Sequence, residues 1–117
     1  MEVEDFREIL RLEADRIMST RGLDSREHIN NGFCGEFARS VSDTVRTRFS
    51  NQYLVWSRED DTLTVTKNSY GAQSLVNGSH IWLEFNDLHF DAECVEGVSD
   101  PSDLPIFQRN EIDPAEL

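Results

Sequence analysis

The sequence predicts an α+β fold in which N-terminal helices pack on a small antiparallel sheet. Three observations carry that prediction. Up to residue 49 the apolar residues recur at the helical period. From residue 53 they fall in short alternating runs separated by turn residues. The chain has 117 residues, the length of one domain, and size scaling lets such a chain bury roughly 65–70% of its extended surface. Residues 1–117 are therefore expected to form one domain, with its core over about 30–95 and an extended, loosely packed C-terminal tail over 95–117.

The elements follow in chain order. Residues 2–20 read as a helix: Val3, Phe6, Leu10, Ile17 and Met18, with Ile9 and Ala14, make one stripe, and Gly22 is a stop signal. Residues 23–33 read as a loop ending in Asn30-Asn31-Gly32. A second helix runs from about Cys34 to Phe49, on the stripe Cys34, Phe37, Ala38, Val41, Val45 and Phe49. Tyr53 to Trp56 and Thr62 to Thr66 are strand-like, with Arg58 to Asp61 a charged turn between them. Residues 67–79 read as a polar loop. His80 to Phe85 and Leu88 to Cys94 form a hairpin around Asn86-Asp87, and Pro101 to Phe107 a short helical turn.

Parity divides the hairpin into two faces. Ile81, Leu83, Phe85, Leu88, Phe90, Ala92 and Cys94 gather on one. His80, Trp82, Glu84, His89, Asp91 and Glu93 gather on the other. A two-residue turn sets His80 opposite Glu93 and diagonal to Asp91; a four-residue turn sets it directly opposite Asp91. Either register brings His80 and Asp91 within reach of a hydrogen bond. Cys94 is expected with the core, Trp82 against a helix, and Glu84, Glu93 and His89 on a solvated face.

Composition limits the partners. There are 23 acidic and 11 basic residues, a net charge of −12, and Lys67 is the single lysine. Such a surface repels nucleic acids and anionic membranes. No apolar run approaches the ~20 residues of a membrane span, and the acidic start MEVEDFREIL lacks the pattern of a signal peptide. A cytoplasmic protein is expected. Acidity combined with lysine depletion further points to a high-salt-adapted cell or its virus, where salt screens the self-repulsion. Cys34 and Cys94 are too few for a disulfide scaffold and are expected as thiols.

Cys34 lies where a loop becomes a helix, and there the unpaired N–H groups and the macrodipole favour a thiolate. Gly32 and Gly35 leave room for a substrate backbone. A histidine beside that sulfur serves as base and then as acid, and a carboxylate behind the histidine orients it. The hairpin offers His80 and Asp91 for these roles. The Cys34 N–H and one donor from the preceding loop, His28, Asn30 or Asn31, are candidates to hold an oxyanion.

These residues form a recognisable set. Gly32-Phe33-Cys34-Gly35-Glu36-Phe37-Ala38, then His80-Ile81-Trp82-Leu83-Glu84-Phe85, then His89-Phe90-Asp91-Ala92-Glu93 resemble the transglutaminase-like branch of the papain-like cysteine enzymes, over about residues 30–95. That branch orders a cysteine at a helix start, H-x-W-x-E opening a strand, and an aspartate on the next strand. The resemblance implies a helix packed on an antiparallel sheet, and acyl transfer through a thioester on Cys34 with His80 and Asp91 completing a triad. The chain is short for the family and has no upstream Gln or Trp as an oxyanion donor.

The expected function is that of a small cysteine-dependent hydrolase or acyltransferase acting on peptide, isopeptide or other amide bonds, with no cofactor. The alternative is a catalytically inactive binding or interaction module on the same fold. Taken singly, each residue has a plainer reading: Cys34 as a small buried residue, His80 as a strand-end hydrogen-bonder, Asp91 as an exposed strand carboxylate. Zinc on Cys34, His80 and His89, with Asp91 or Glu93, is a competing site, but the spacings fit no compact ligand pair, and no loop motif supports Mg²⁺ or Ca²⁺. Tyr70 to Gly78 is a candidate lid, and the 95–117 segment a candidate gate.

Overall fold

In the first helix, α1 (Val3–Arg21), the Glu2 N–H donates to Asp5 Oδ2 at 2.8 Å, and Gly22 closes the helix in the left-handed conformation at φ 66°. Its buried face is Phe6, Ile9, Leu10, Ala14 and Ile17, as the stripe predicts, with Val3 and Met18 partly buried beside it. Glu13 shares that face and is fully buried. One of its oxygens accepts from Thr44 Oγ1 at 2.8 Å and lies 2.9 Å from Arg16 Nη1, so an ion pair and a hydroxyl offset part of the desolvation. The computed structural model describes residues 1–49 and 80–109 in full, and the backbone alone of Val55–Ser57, Thr62–Thr64, Tyr70–Ser74 and Asn110.

The loop expected over 23–33 contains a short helix, α2 (Arg26–Asn30). Five residues cannot hold a helix by propensity. Ile29, with no exposed surface, anchors this one in the core. The next helix, α3 (Cys34–Arg48), runs antiparallel to α1: Arg21 pairs with Glu36 at 2.6 Å near one end, and Glu13 meets Thr44 near the other. Phe37, Ala38, Val41 and Val45 pack inward. Phe49, assigned to the same stripe, falls past the helix end and is 39% exposed.

The sheet is an antiparallel meander of β1 (Val55–Ser57), β2 (Thr62–Thr64), β3 (Tyr70–Ser74), β4 (Ile81–Phe85) and β5 (Leu88–Phe90), in that spatial order. Helices and antiparallel sheet together make an α+β protein, with four α-helices among the described residues. Strand β3 corrects the polar loop expected over 67–79: residues 70–74 pair along their whole length with β4, Tyr70 opposite Phe85 and Ser74 opposite Ile81. A Tyr-Gly-Ala-Gln-Ser run has little strand propensity, so the ladder with β4 carries it. The charged turn Arg58–Asp61 and the rest of the 67–79 segment lie outside the described residues.

The β4–β5 hairpin has the two-residue turn. Phe85 faces Leu88 and Leu83 faces Phe90, and Asn86 and Asp87 both take positive φ, 56° and 62°, as a type I′ turn requires. Leu83, Phe85 and Phe90 point into the core against α1 and α3, where the Phe6 ring lies 5.2 Å from Phe85 and 5.1 Å from Phe90. The strand stops at Phe90, before the Cys94 limit expected for it, because Asp91 Oδ1 accepts the N–H groups of Glu93 and Cys94 at 3.0 and 2.9 Å and bends the chain. Alternation ends there. Cys94 therefore misses the main core and is partly buried in a second cluster beyond the other face of the sheet.

That second cluster corrects the loose packing expected of the tail as far as Arg109, while residues 111–117 lie outside the described residues. A 3₁₀ turn at Pro101–Asp103 leads into α4 (Pro105–Asn110), and Leu104 and Phe107 pack on Trp82 with 0% and 1% exposure. Arg7 donates to the Glu96 carbonyl at 3.0 and 2.8 Å, which ties this segment to α1. His89 and Val98 exchange backbone hydrogen bonds of 2.7 and 2.9 Å, capping the outer edge of β5. Between them Gly97 turns at φ 88°, and a Cβ on it would lie 2.5 Å from the Phe90 ring. Gly97→Ala combines a strained backbone with a clash against a fully buried ring, and is expected to lower the unfolding free energy by about 2–4 kcal/mol, measured by urea titration.

Candidate functional site

Three elements bring the site together. Cys34 is the first residue of α3, so its own N–H and that of Gly35 head the helix without intrahelical acceptors. His80 immediately precedes β4 and Asp91 immediately follows β5. The hairpin register sets these two diagonally across the sheet end, and His80 Nε2–H donates to Asp91 Oδ2 at 3.2 Å. His80 and Asp91 are 0% and 1% exposed, and Cys34 is 8% exposed. Of the sequence-derived triad, all three members meet in one buried cluster.

Each group is held from several sides. Asp91 accepts on both oxygens, from His80 on one and from the Glu93 and Cys94 N–H groups on the other, which fixes the carboxylate plane. With Nε2 committed to Asp91, Nδ1 is the nitrogen left for Cys34; it is buried and has no hydrogen-bond partner among the described residues. Burial pushes the Cys34 thiol up. The opposing effects win: the His80 hydrogen bond and charge, with the Ile81 and Gly35 N–H groups aimed at the sulfur, bring the net shift below the ordinary thiol value. Burial likewise pulls His80 down, but hydrogen bonds to Asp91 and Cys34 and the charges behind them raise it to about 9. Thiolate and imidazolium therefore coexist in the window between the lowered Cys34 value and about pH 9.

The surroundings depart from the solvated face expected on this side of the hairpin. Trp82 is buried and stacks near the His80 ring at 6.3 Å, and Phe107 meets both rings edge-on, at 5.7 Å from His80 and 5.3 Å from Trp82. Trp82 thus packs against a helix, α4. Its Nε1–H donates to His89 Nδ1 at 3.1 Å, and His89 Nε2 lies 3.6 Å from Glu84. Glu93 accepts from Asn30 Nδ2 at 3.0 Å and from Arg109 at 3.0 and 2.9 Å.

These contacts narrow the oxyanion donors. The Asn30 amide is spent on Glu93, whereas His28 and Asn31 are exposed and line a cavity of about 320 Å³ with Glu27, Ile106 and Arg109. Among the described residues, no three His, Cys, Asp or Glu side chains converge as a metal-binding group. Phe107 and Arg109 were not singled out from the sequence. Their signal was present: Leu104 and Phe107 stand at helical spacing, and Arg109 is the one basic residue after position 94.

The raised His80 value rests largely on Asp91. In Asp91→Asn the side chain keeps its shape and loses its charge. The His80 imidazole, followed by NMR of its ring protons, is expected to titrate well below 9 and toward the ordinary 6.5. An unchanged value overturns this account of the pair.

No family model, curated protein or solved structure matches the chain.

Proposed function

We propose that this protein is a cysteine-dependent hydrolase or acyltransferase for peptide, isopeptide or other amide bonds, on a papain/transglutaminase-like core. One observation carries the reading: a buried imidazole is held by a carboxylate on one nitrogen and has no hydrogen-bond partner on the other, and beside the helix-terminal Cys34 the thiol is shifted down and the imidazole up, the sense that favours an ion pair. The order of Cys34, His80-x-Trp82-x-Glu84 and Asp91 along the chain supports the same reading.

Cys34 is the nucleophile. Its thiolate adds to the amide carbon, and the negative charge gathering on the carbonyl oxygen is met by N–H groups at the start of α3. The C–N bond breaks as His80 Nδ1 delivers its proton to the leaving nitrogen, which departs as an amine and leaves a thioester. A water or amine then attacks the thioester and returns a proton to the now neutral imidazole, regenerating thiolate and imidazolium. Asp91 holds the ring in place and stabilises its charge throughout.

A specific observation favours a second reading, a binding module without turnover: Cys34 is 8% exposed and one of the candidate oxyanion donors, the Asn30 amide, is already engaged. Activated esters separate the two. An enzyme forms an acyl adduct on Cys34 that is visible by intact mass and absent in Cys34→Ala; a module forms none.

Iodoacetamide labelling across pH tests the nucleophile. Cys34 is lowered, whereas Cys94 is raised, first by burial and then by the charges of Asp91, Glu96 and Glu93. The alkylation midpoint of Cys34 is expected below that of Cys94, and the same or a higher midpoint overturns the proposal. Acyl transfer is expected to fall on the acid side as the thiolate is protonated. On the alkaline side it falls near pH 9, as His80 loses the proton owed to the leaving group.

A further inference from the structure

The residues over the His80 ring and its neighbour Trp82 belong to the chain's own C-terminal segment. Phe107 covers the edge of the His80 ring and Leu104 lies beside it on Trp82, both without exposed surface. Two positions after Phe107, Arg109 inserts between two carboxylates on different elements: Glu93, at 3.0 and 2.9 Å, and Glu27 of α2, at 3.3 Å from Nε. Glu93 in turn holds Asn30, four residues before Cys34. A segment of only six helical residues has no stability of its own, so these side-chain contacts keep it in place. The groove under it thus has three places with known preferences: an aliphatic seat, an aromatic seat against the imidazole, and a guanidinium seat between acids.

We propose that residues 101–110 are a self-bound ligand lying where substrate docks, and that the substrate is a protein segment of the pattern aliphatic-x-x-aromatic-x-Arg, which displaces them. The inference rests on the triad reading for its chemistry. The net charge of −12 favours a basic segment over an acidic one. Displacement exchanges like for like: an incoming arginine takes over the pairing of Glu27 and Glu93, and an incoming ring refills the Phe107 seat, so no buried group is left bare. A peptide with an acidic residue at the arginine position meets two carboxylates and is rejected.

Arg109→Glu in the full chain sets a third carboxylate against Glu27 and Glu93 at a side chain that is 38% exposed, so the core is not disturbed. Cys34 alkylation at a pH where the sulfur is fully ionised is expected to rise by roughly tenfold or more. A synthetic peptide of residues 101–110, added in trans, is expected to restore the slow rate, while the same peptide carrying Phe107→Ala and Arg109→Ala does not. An unchanged Cys34 rate in Arg109→Glu, or a peptide that gives no protection, overturns the self-ligand. The pH midpoint reports separately on the triad: a faster rate with an ordinary thiol midpoint keeps the strap and sinks the triad, and a lowered midpoint with no change in rate does the reverse.

Discussion

A histidine and an aspartate share a site with almost no exposed surface, and the rest of the structure is arranged around keeping them paired. Taking an imidazolium and a carboxylate out of water costs several kcal/mol per ion before any contact is formed. The protein meets that cost with close contacts. Asp91 receives His80 on one oxygen and two backbone N–H groups on the other, and His80 is flanked by Trp82, Phe107 and the Cys34 sulfur. Those same two N–H bonds end β5, turn the chain, and direct residues 95–98 back along the strand edge. A local electrostatic need thus sets the path of the chain from Asp91 to Val98.

The same constraint separates two apolar clusters that share one hairpin. Leu83, Phe85 and Phe90 complete the core with α1 and α3, while Trp82 on the opposite face gathers Leu104 and Phe107. The imidazole sits at the end of the sheet, where α3 begins, and both clusters shield it from water. Low dielectric strengthens every interaction in the cluster, and the price is a sulfur with little access to solvent. The short helices α2 and α4 beside the site are held by their side-chain contacts rather than by their own helical bonds.

Much of this was legible beforehand, for physical reasons. Periodicity located α1 and α3 because their apolar stripes each face one uninterrupted core. Parity placed His80 and Asp91 on one face because alternation in a strand is strict. The turn length was open until Asn86 and Asp87 were seen at positive φ. The failures are also local. Residues 26–30 and 70–74 have weak intrinsic preferences and are ordered by neighbours: Ile29 by the core, the strand backbone by β4. Glu13 stands on an apolar stripe that periodicity alone reads as hydrophobic, and a partner hydroxyl on another helix lets it stay there. Cys94 was displaced from the core by a turn whose cause is a side chain three residues earlier.

From its sequence alone, this chain determined the class of fold, the two long helices, the hairpin and the identity of the three polar residues that meet at its end. Those features depend on spacing within one element or across one turn, and spacing is written in the chain. Tertiary structure decided what covers the site and what holds the cover down, because Leu104 and Phe107 on Trp82, and Arg109 between Glu27 and Glu93, join segments far apart in the chain. Contacts of that kind carry no local period, and only the closed fold brings their partners together.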